Sequence, residues 1–148
     1  MFVGRVRAAD RWGNAGVGFR VKLLLDTCAF IWLTQEPARI SDPAVAALDD
    51  HANELLLSHA SIWEIHLKCA AGKLKLPSAP REWISEQLAA RGVRDWPIDL
   101  ESLHWTSELP PVHKDPFDRL LVAQASWHRL TIVTPDPLIK KYSIETIW

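Results

Sequence analysis

The sequence predicts an α/β domain with three layers, in which a mainly parallel sheet is flanked by helices. Short apolar runs that end in polar or turn residues alternate along the chain with segments of helical spacing, as in repeated strand–helix units. Caps, prolines and glycines mark where those helical segments begin and end. With 148 residues, of which 48% are hydrophobic and 24% charged, the chain has the length and composition of one globular domain.

Three apolar runs predict strands, at residues 21–25, 54–58 and 130–134, and the length and flanks of the first two suit buried parallel strands. Residues 93–98 and 144–148 predict two further short strands. The segments between them predict helices, whose ends are indicated by Ser41 and Pro43, by Gly72 and Gly92, and by Pro116. The predicted helices cover residues 28–35, 41–50, 61–71, 80–91, 100–109 and 115–129.

Residues 1–20 differ from the rest of the chain. They contain four arginines, four glycines and no lysine, and they show no period of 2 or 3.6 residues. We therefore expect a flexible extension over residues 1–20 and a domain over residues 21–148. The extension is also consistent with an upstream start codon having been chosen, which mass spectrometry of the native protein would settle.

Charge and cysteine content exclude several classes of function. The formal net charge is −1, so attraction of RNA would have to come from local basic clusters and from bound metal. Cys28 and Cys69 are far apart, which is not the spacing of a zinc or redox site. There is no apolar run of about 20 residues and no signal-peptide apolar region, so we expect a cytoplasmic protein without a membrane span.

Two aspartates follow predicted strands. Asp26 comes directly after the first strand, and Asp136 follows the strand over residues 130–134. In a parallel sheet both emerge at the carboxyl edge, where ligands of open α/β sheets bind. Each also has a structural explanation, because Asp26 is placed to cap the next helix and Asp136, between two prolines, suits a turn.

Two further acids lie in predicted helices. Glu64 is surrounded by apolar residues, which is informative if it is buried, although a surface pair with Lys68 four residues later would also explain it. Asp118 falls in the first turn of the helix that Asp115 and Pro116 open. A well-capped helix explains both aspartates, whereas a functional role would direct Asp118 towards the strand ends.

Taken together, these acids predict a metal centre. If each acid had only a structural role, four acids would have gathered at one end of the sheet by coincidence. These acids are Asp26, Glu64, Asp118 and Asp136. Carboxylates without nearby thiols or paired histidines select hard cations such as Mg²⁺ or Mn²⁺. Such ions activate water and neutralise charge on a phosphoryl group. Without metal the cluster would repel itself, so we expect local strain.

Four phrases carry a family resemblance, namely LLLDTCAFIWL (23–33), SHASIWEIHLK (58–68), HKDPFDRLLVAQA (113–125) and TPD (134–136). With these phrases the chain resembles the PIN-domain ribonucleases, in particular the toxins of the VapC type. The resemblance covers roughly residues 21–148. It implies a PIN-like fold and metal-dependent endonucleolytic hydrolysis of RNA.

The resemblance also implies roles for individual residues. The acids of the family fall on Asp26, Glu64, Asp118 and Asp136, which would hold the metal and form the catalytic set. Three neighbouring residues would support these acids. Asp115 corresponds to an acid found in only some members of the family, and the hydroxyls of Thr27 and Thr134 would orient carboxylates or water. Nearby basic residues that could contact phosphates are Lys68, Lys114 and Arg119, although each could equally be a solvated surface residue. The implied partners are an RNA substrate, a small cognate antitoxin and a second copy of the chain in a homodimer.

Three alternatives remain open. The strand followed by Asp26 and Thr27 also occurs in phosphatases with an aspartate nucleophile, but that class needs a second aspartate where this chain has Cys28. A catalytically silent domain that binds RNA or a partner would not require an acid at every matched position. A PIN nuclease with a housekeeping role in RNA processing would share the same site.

Overall fold

The computed structural model describes residues 20–148, so the predicted extension lies, apart from Arg20, outside the described residues. The described part contains five strands in one parallel sheet with the order β3-β2-β1-β4-β5, together with six α-helices. The strands are β1 (Lys22–Leu25), β2 (Glu54–Ser58), β3 (Val93–Trp96), β4 (Thr131–Val133) and β5 (Thr146–Ile147). The helices are α1 (Thr27–Gln35), α2 (Asp42–Asp49), α3 (His59–Ala70), α4 (Pro80–Arg91), α5 (Leu100–Trp105) and α6 (Pro116–His128). The α/β fold and its parallel sheet are confirmed.

Alternation along the central strands creates two cores. Leu23 and Leu25 of β1 pack with the helices on one face of the sheet, whereas Leu24 points to the other face. Leu23 pairs in register with Leu55, and Leu24 with Leu56. Because both faces are covered, the two strands consist almost entirely of apolar residues, as is usual for buried parallel strands.

The helices form the two outer layers. The larger core contains buried side chains of α1 to α4, among them Phe30 and Trp83, whose rings meet edge to face. The smaller core is built mainly from α6, with Leu121 and Val122 buried, and from Tyr142 near the end of the chain. This is the predicted three-layer arrangement, and it fixes the start of α6 and the start of α3 on the same edge of the sheet as the end of β1.

Several strands and helices begin or end at residues other than the predicted ones, for identifiable reasons. The third strand ends at Trp96 because Pro97 has no N–H for the ladder. Helix α3 begins at His59 because the last residue of β2, Ser58, accepts a hydrogen bond from the amide of Ala60 and caps the helix. The prediction that α5 reaches residue 109 was wrong: it ends at Trp105.

Several hydrogen bonds hold the chain at the end of α5. The carbonyl oxygen of Thr106 accepts a hydrogen bond from Arg119 Nη2 at 2.7 Å. The hydroxyl of Thr106 in turn donates to the carbonyl of Leu103. Beyond Trp105 the chain continues in tighter turns, in which the amides of Ser107 and Glu108 donate to the carbonyls three residues earlier. None of the helices in residues 20–148 combines the length and the hydropathy that crossing a bilayer requires.

Candidate active site

Asp26 lies where β1 ends beside β4. Its amide donates to the carbonyl of Val133 at 3.0 Å, which continues the pairing of the two strands into the site. The side chain is 5% exposed. Although Asp26 occupies the N-cap position of α1, its carboxylate does not cap that helix. The explanation of Asp26 as a helix cap is therefore wrong.

Thr134 instead holds the carboxylate of Asp26. Its hydroxyl, fully buried, donates to Asp26 Oδ2 at 2.6 Å, and the Cys28 thiol lies 3.5 Å from the same oxygen. Burial raises the pKa of Asp26, the two hydrogen bonds lower it, and the negative charge of Glu64 raises it further. The net direction is upward, so the ionised form of Asp26 lacks compensation within the protein.

Glu64 reaches the same site from α3. It is 8% exposed, and Lys68 Nζ lies 3.4 Å from Glu64 Oε2. The pair with Lys68 expected from the spacing is therefore present, but its acidic member is buried. One turn earlier in α3, Ser61 accepts a hydrogen bond from the Thr27 hydroxyl at 2.9 Å. Thr27 thus ties α1 to α3, whereas the hydroxyl of Thr134 binds a carboxylate.

The first turn of α6 supplies the third acid. Asp115 caps the helix, because its Oδ1 accepts the amide protons of Phe117 at 2.8 Å and Asp118 at 3.4 Å. The rings of Phe117 and Trp63 meet edge to face with centroids 5.3 Å apart. Since Trp63 precedes Glu64, this contact joins the two helix segments that carry the acids.

Asp118 experiences the crowding of the acids most strongly. Burial and the negative charges of Asp26, Asp115 and Glu64 raise its pKa, His113 lowers it, and the net pKa is about 7. The effect shows that acids distant in sequence act on one another here. Without a cation, Asp118 is therefore only partly ionised near neutral pH.

His113 joins Asp118 to Asp136. Its Nε2 lies 2.9 Å from Asp136 Oδ2 and 3.1 Å from Asp118 Oδ2. The other oxygen of Asp136 accepts the amide of Leu138 at 2.8 Å, so the turn expected at this aspartate is also present. Burial acts to raise the pKa of Asp136, but the hydrogen bonds from His113 and Leu138 outweigh it and lower the pKa below its usual value.

Comparisons with known proteins identify the family. A profile of the PIN domain matches residues 23–145, which is most of the chain. The chain belongs to the PIN-domain family. It is also 30% identical over 121 residues to Ribonuclease VapC22 of Mycobacterium tuberculosis, an alignment that covers 81% of this chain and 91% of the relative.

Solved structures agree on the PIN fold. VapBC2 from Rickettsia felis bound to a promoter DNA fragment matches with a TM-score of 0.63 at 15% identity, over 86% of this chain and 100% of the other. DNA-bound VapBC from Salmonella typhimurium matches with a TM-score of 0.57 at 15% identity, over 85% and 96% of the two chains. At these identities the likeness concerns the fold.

Two residues of this PIN domain, His113 and Arg119, make contacts that the sequence did not predict. His113 stands in the matched HKDPFDR phrase, where the spacing of five residues to Asp118 gave no sign that the ring would turn back onto the acids. Arg119, expected to contact phosphates, instead donates to the carbonyl oxygens of four loop residues and to the Tyr142 hydroxyl. The four loop residues are Thr106, Leu109, Pro110 and His113.

The donor set suits a hard divalent cation. Asp118 and Asp136 lie close enough, together with His113, for one atom of each to fall within 4.8 Å of the others. Asp26 and Glu64 add two carboxylates, both buried, that act electrostatically on the half-buried Asp118. Oxygen donors of this kind are those that Mg²⁺ and Mn²⁺ prefer, and the raised pKa of Asp118 indicates missing positive charge.

Proposed function

We propose that this protein is a Mg²⁺- or Mn²⁺-dependent endoribonuclease and the toxin of a toxin–antitoxin pair. The observation that carries the proposal is the crowding of the buried Asp26 and Glu64 with the half-buried Asp118, which together with desolvation raises the pKa of Asp118 to about 7. Burying carboxylates without a positive partner costs free energy, so this arrangement does not help to stabilise the fold. It is the arrangement expected of a site that binds a cation.

The proposal gives each acid a task. Asp26, Glu64 and Asp118 hold the cation, and Asp136 completes the site directly or through water. When bound, the cation supplies activated water and neutralises charge on the phosphodiester. Thr134 fixes the rotamer of Asp26 through its 2.6 Å hydrogen bond. Thr27 positions α3 through Ser61.

The remaining tasks concern entry to the site. Asp115 keeps the first turn of α6, and with it Asp118, in place through its capping bonds. Lys68 and Lys114 are the basic residues proposed to contact phosphates. Lys68 is suited to this because it is 43% exposed while its ammonium group lies beside the buried Glu64.

The substrate and partners belong to the same proposal. RNA as substrate is supported by the relative named Ribonuclease VapC22. A cognate antitoxin is supported by the VapBC complexes among the structural neighbours. We also propose a homodimer and a cytoplasmic location, and a second copy could cover several large exposed apolar side chains. They are Trp63, Leu67, Leu100, Leu103, Trp127 and Leu138.

The test is cleavage of total cellular RNA by the purified chain with Mg²⁺, with Mn²⁺ and with EDTA. We expect discrete fragments that depend on metal and disappear with Asp26→Asn. The matched control is Asp42→Asn, which changes an exposed acid at the start of α2 and should cleave normally. Cleavage by Asp26→Asn at the normal rate would contradict the proposal, and intact RNA in every sample would favour a silent binding domain.

Expression in a bacterial host separates a toxin from a processing enzyme. A toxin should arrest growth, and Asp26→Asn should relieve the arrest. Metal-dependent cleavage in vitro without growth arrest would instead favour a housekeeping role in RNA processing.

A further inference from the structure

His113 sits at the centre of the acidic site without being an acid. Its Nε2 lies 2.9 Å from Asp136 Oδ2 and 3.1 Å from Asp118 Oδ2. The side chain is 11% exposed, so few water molecules can replace these contacts. Two roles fit this position, because an imidazole nitrogen can either bind a cation as a ligand or donate a hydrogen bond.

The other ring nitrogen distinguishes the two roles. The amide of Asp115 donates to His113 Nδ1 at 3.1 Å. The position of an amide hydrogen is fixed by the planar peptide bond, so this nitrogen must act as an acceptor and cannot carry a proton while the contact exists. The proton of the neutral ring therefore resides on Nε2, the atom that faces the acids.

An Nε2–H group is a donor and has no lone pair for a cation. Its hydrogen bond goes to Asp136 Oδ2, and Asp118 Oδ2 lies close to the same nitrogen. Binding a cation through Nε2 would require the proton to move to Nδ1, where it would meet the amide hydrogen of Asp115. The contact with Asp115 therefore opposes ligation by His113, even though the three side chains are near enough to share an ion.

We propose that His113 is a positioning residue, a neutral Nε2–H donor that holds Asp136 beside Asp118 and does not bind the metal. This inference rests on the proposed metal-dependent function and adds a task to the backbone of Asp115, whose side chain caps α6 while its amide sets the tautomer of the ring. Metal in this site would then be bound by oxygen atoms alone, which favours Mg²⁺ or Mn²⁺ over ions that prefer imidazole.

The direct test uses the full chain labelled with ¹⁵N in its histidine rings. NMR of the metal-free protein should show His113, assigned by its absence in His113→Gln, with the proton on Nε2, and Mg²⁺ should leave that proton in place. Pulsed EPR of the Mn²⁺-loaded protein should show no coupling to a histidine ¹⁵N nucleus. A proton on Nδ1, or Mn²⁺ coupling that disappears in His113→Gln, would overturn the assignment.

Metal affinity of variants provides an independent measurement. His113→Ala should weaken Mn²⁺ binding about tenfold, the scale at which outer-sphere partners of metal ligands act. His113→Gln restores a side-chain N–H donor and should recover most of that loss. The matched control is His128→Ala, which removes a histidine that contacts Asp99 outside the acid cluster and should not change Mn²⁺ affinity.

Unchanged affinity in His113→Ala would show that the ring does not position the acids. A wild-type chain that binds no Mn²⁺ would contradict the proposed metal-dependent function. In that case the tautomer measured in the metal-free protein would still decide the assignment of His113.

Discussion

Two histidine–aspartate pairs flank helix α6, one before its first turn and one at its last residue, yet their surroundings differ. His128 Nε2 contacts Asp99 Oδ1 at 2.8 Å after β3, and His113 Nε2 contacts Asp136 Oδ2 at 2.9 Å after β4. Asp99 also accepts the amide of Ser102 at 3.1 Å and its hydroxyl at 2.6 Å. It is therefore a single carboxylate that receives three hydrogen bonds.

The pKa values show what this difference means. Burial acts to raise the pKa of Asp99, but the bonds from Ser102 and His128 outweigh it and lower the pKa to about 2. At Asp118, burial and the neighbouring acids raise the pKa to about 7. The ratio of hydrogen-bond donors to carboxylates therefore separates an acid that stabilises the fold from one that is available to a cation.

The largest effect is expected on RNA cleavage, when the same substitution is made at Asp118 and at Asp99. Asp118→Asn should lower metal-dependent RNA cleavage at least about 100-fold, because it removes a proposed ligand worth several kcal/mol in the transition state. It should also raise the melting temperature of the metal-free protein, because one of the crowded charges is gone. Asp99→Asn is the control and should keep the activity. Asp118→Asn with normal cleavage would remove Asp118 from the catalytic set.

The pH dependence of metal binding should follow from Asp118. Its folded pKa is raised from 3.8 to about 7, so between these pH values the unfolded chain loses a proton that the folded protein keeps, and the metal-free protein loses stability as pH rises. A cation must displace the same proton, so Mg²⁺ affinity should increase about tenfold per pH unit between pH 5 and 7 and then level off. Calorimetric titration with Mg²⁺ measures this, and Asp118→Asn should flatten the profile. A flat profile in the wild type would contradict the raised pKa.

Two threonines allow a smaller contrast within the site. Thr134→Val removes the donor to Asp26 with little change in shape and should weaken Mg²⁺ binding about tenfold. Thr27→Val removes the bond to Ser61 but no carboxylate contact, so it should cost about 1 kcal/mol of stability and leave Mg²⁺ affinity nearly unchanged. Equal losses of affinity in the two variants would show that both threonines act through packing. Titration calorimetry and urea unfolding supply the two numbers.

The smallest effect is expected at Asp99, the aspartate that accepts three hydrogen bonds. Asp99→Ala removes the cap of α5 and should lower the free energy of unfolding by about 1 kcal/mol, measured in urea, without changing cleavage. A loss of cleavage comparable to that of Asp118→Asn would show that the two regions are coupled and would remove the contrast between them.

Much of this arrangement was predictable because short-range patterns determine it. The apolar run before Asp26 and the one before Asp136 established two parallel strands, and parallel strands bring their carboxyl ends to one edge. Asp115 followed by Pro116 established where α6 begins. The acids of the site could therefore be placed near one another without coordinates.

Other features depend on contacts that the sequence does not show locally. The ring of His113 turns onto Asp136, 23 residues away, because the Asp115 amide holds its other nitrogen. Arg119 is a residue type that often contacts phosphates, but here its guanidinium group donates to loop carbonyls. The same arginine also binds the carbonyl of Thr106, the residue at which α5 is capped, and this contact joins residues 13 positions apart in the chain.

The contacts of Arg119 have a consequence for which changes this protein can tolerate. Surface loops usually accept insertions at small thermodynamic cost. The segment between Thr106 and His113 differs, because its carbonyls are held at set distances from one guanidinium group that follows Asp118 directly. One added residue would move those carbonyls and displace the ring of His113 from the acids. The length of this loop, and not only its composition, is therefore a determinant of the site.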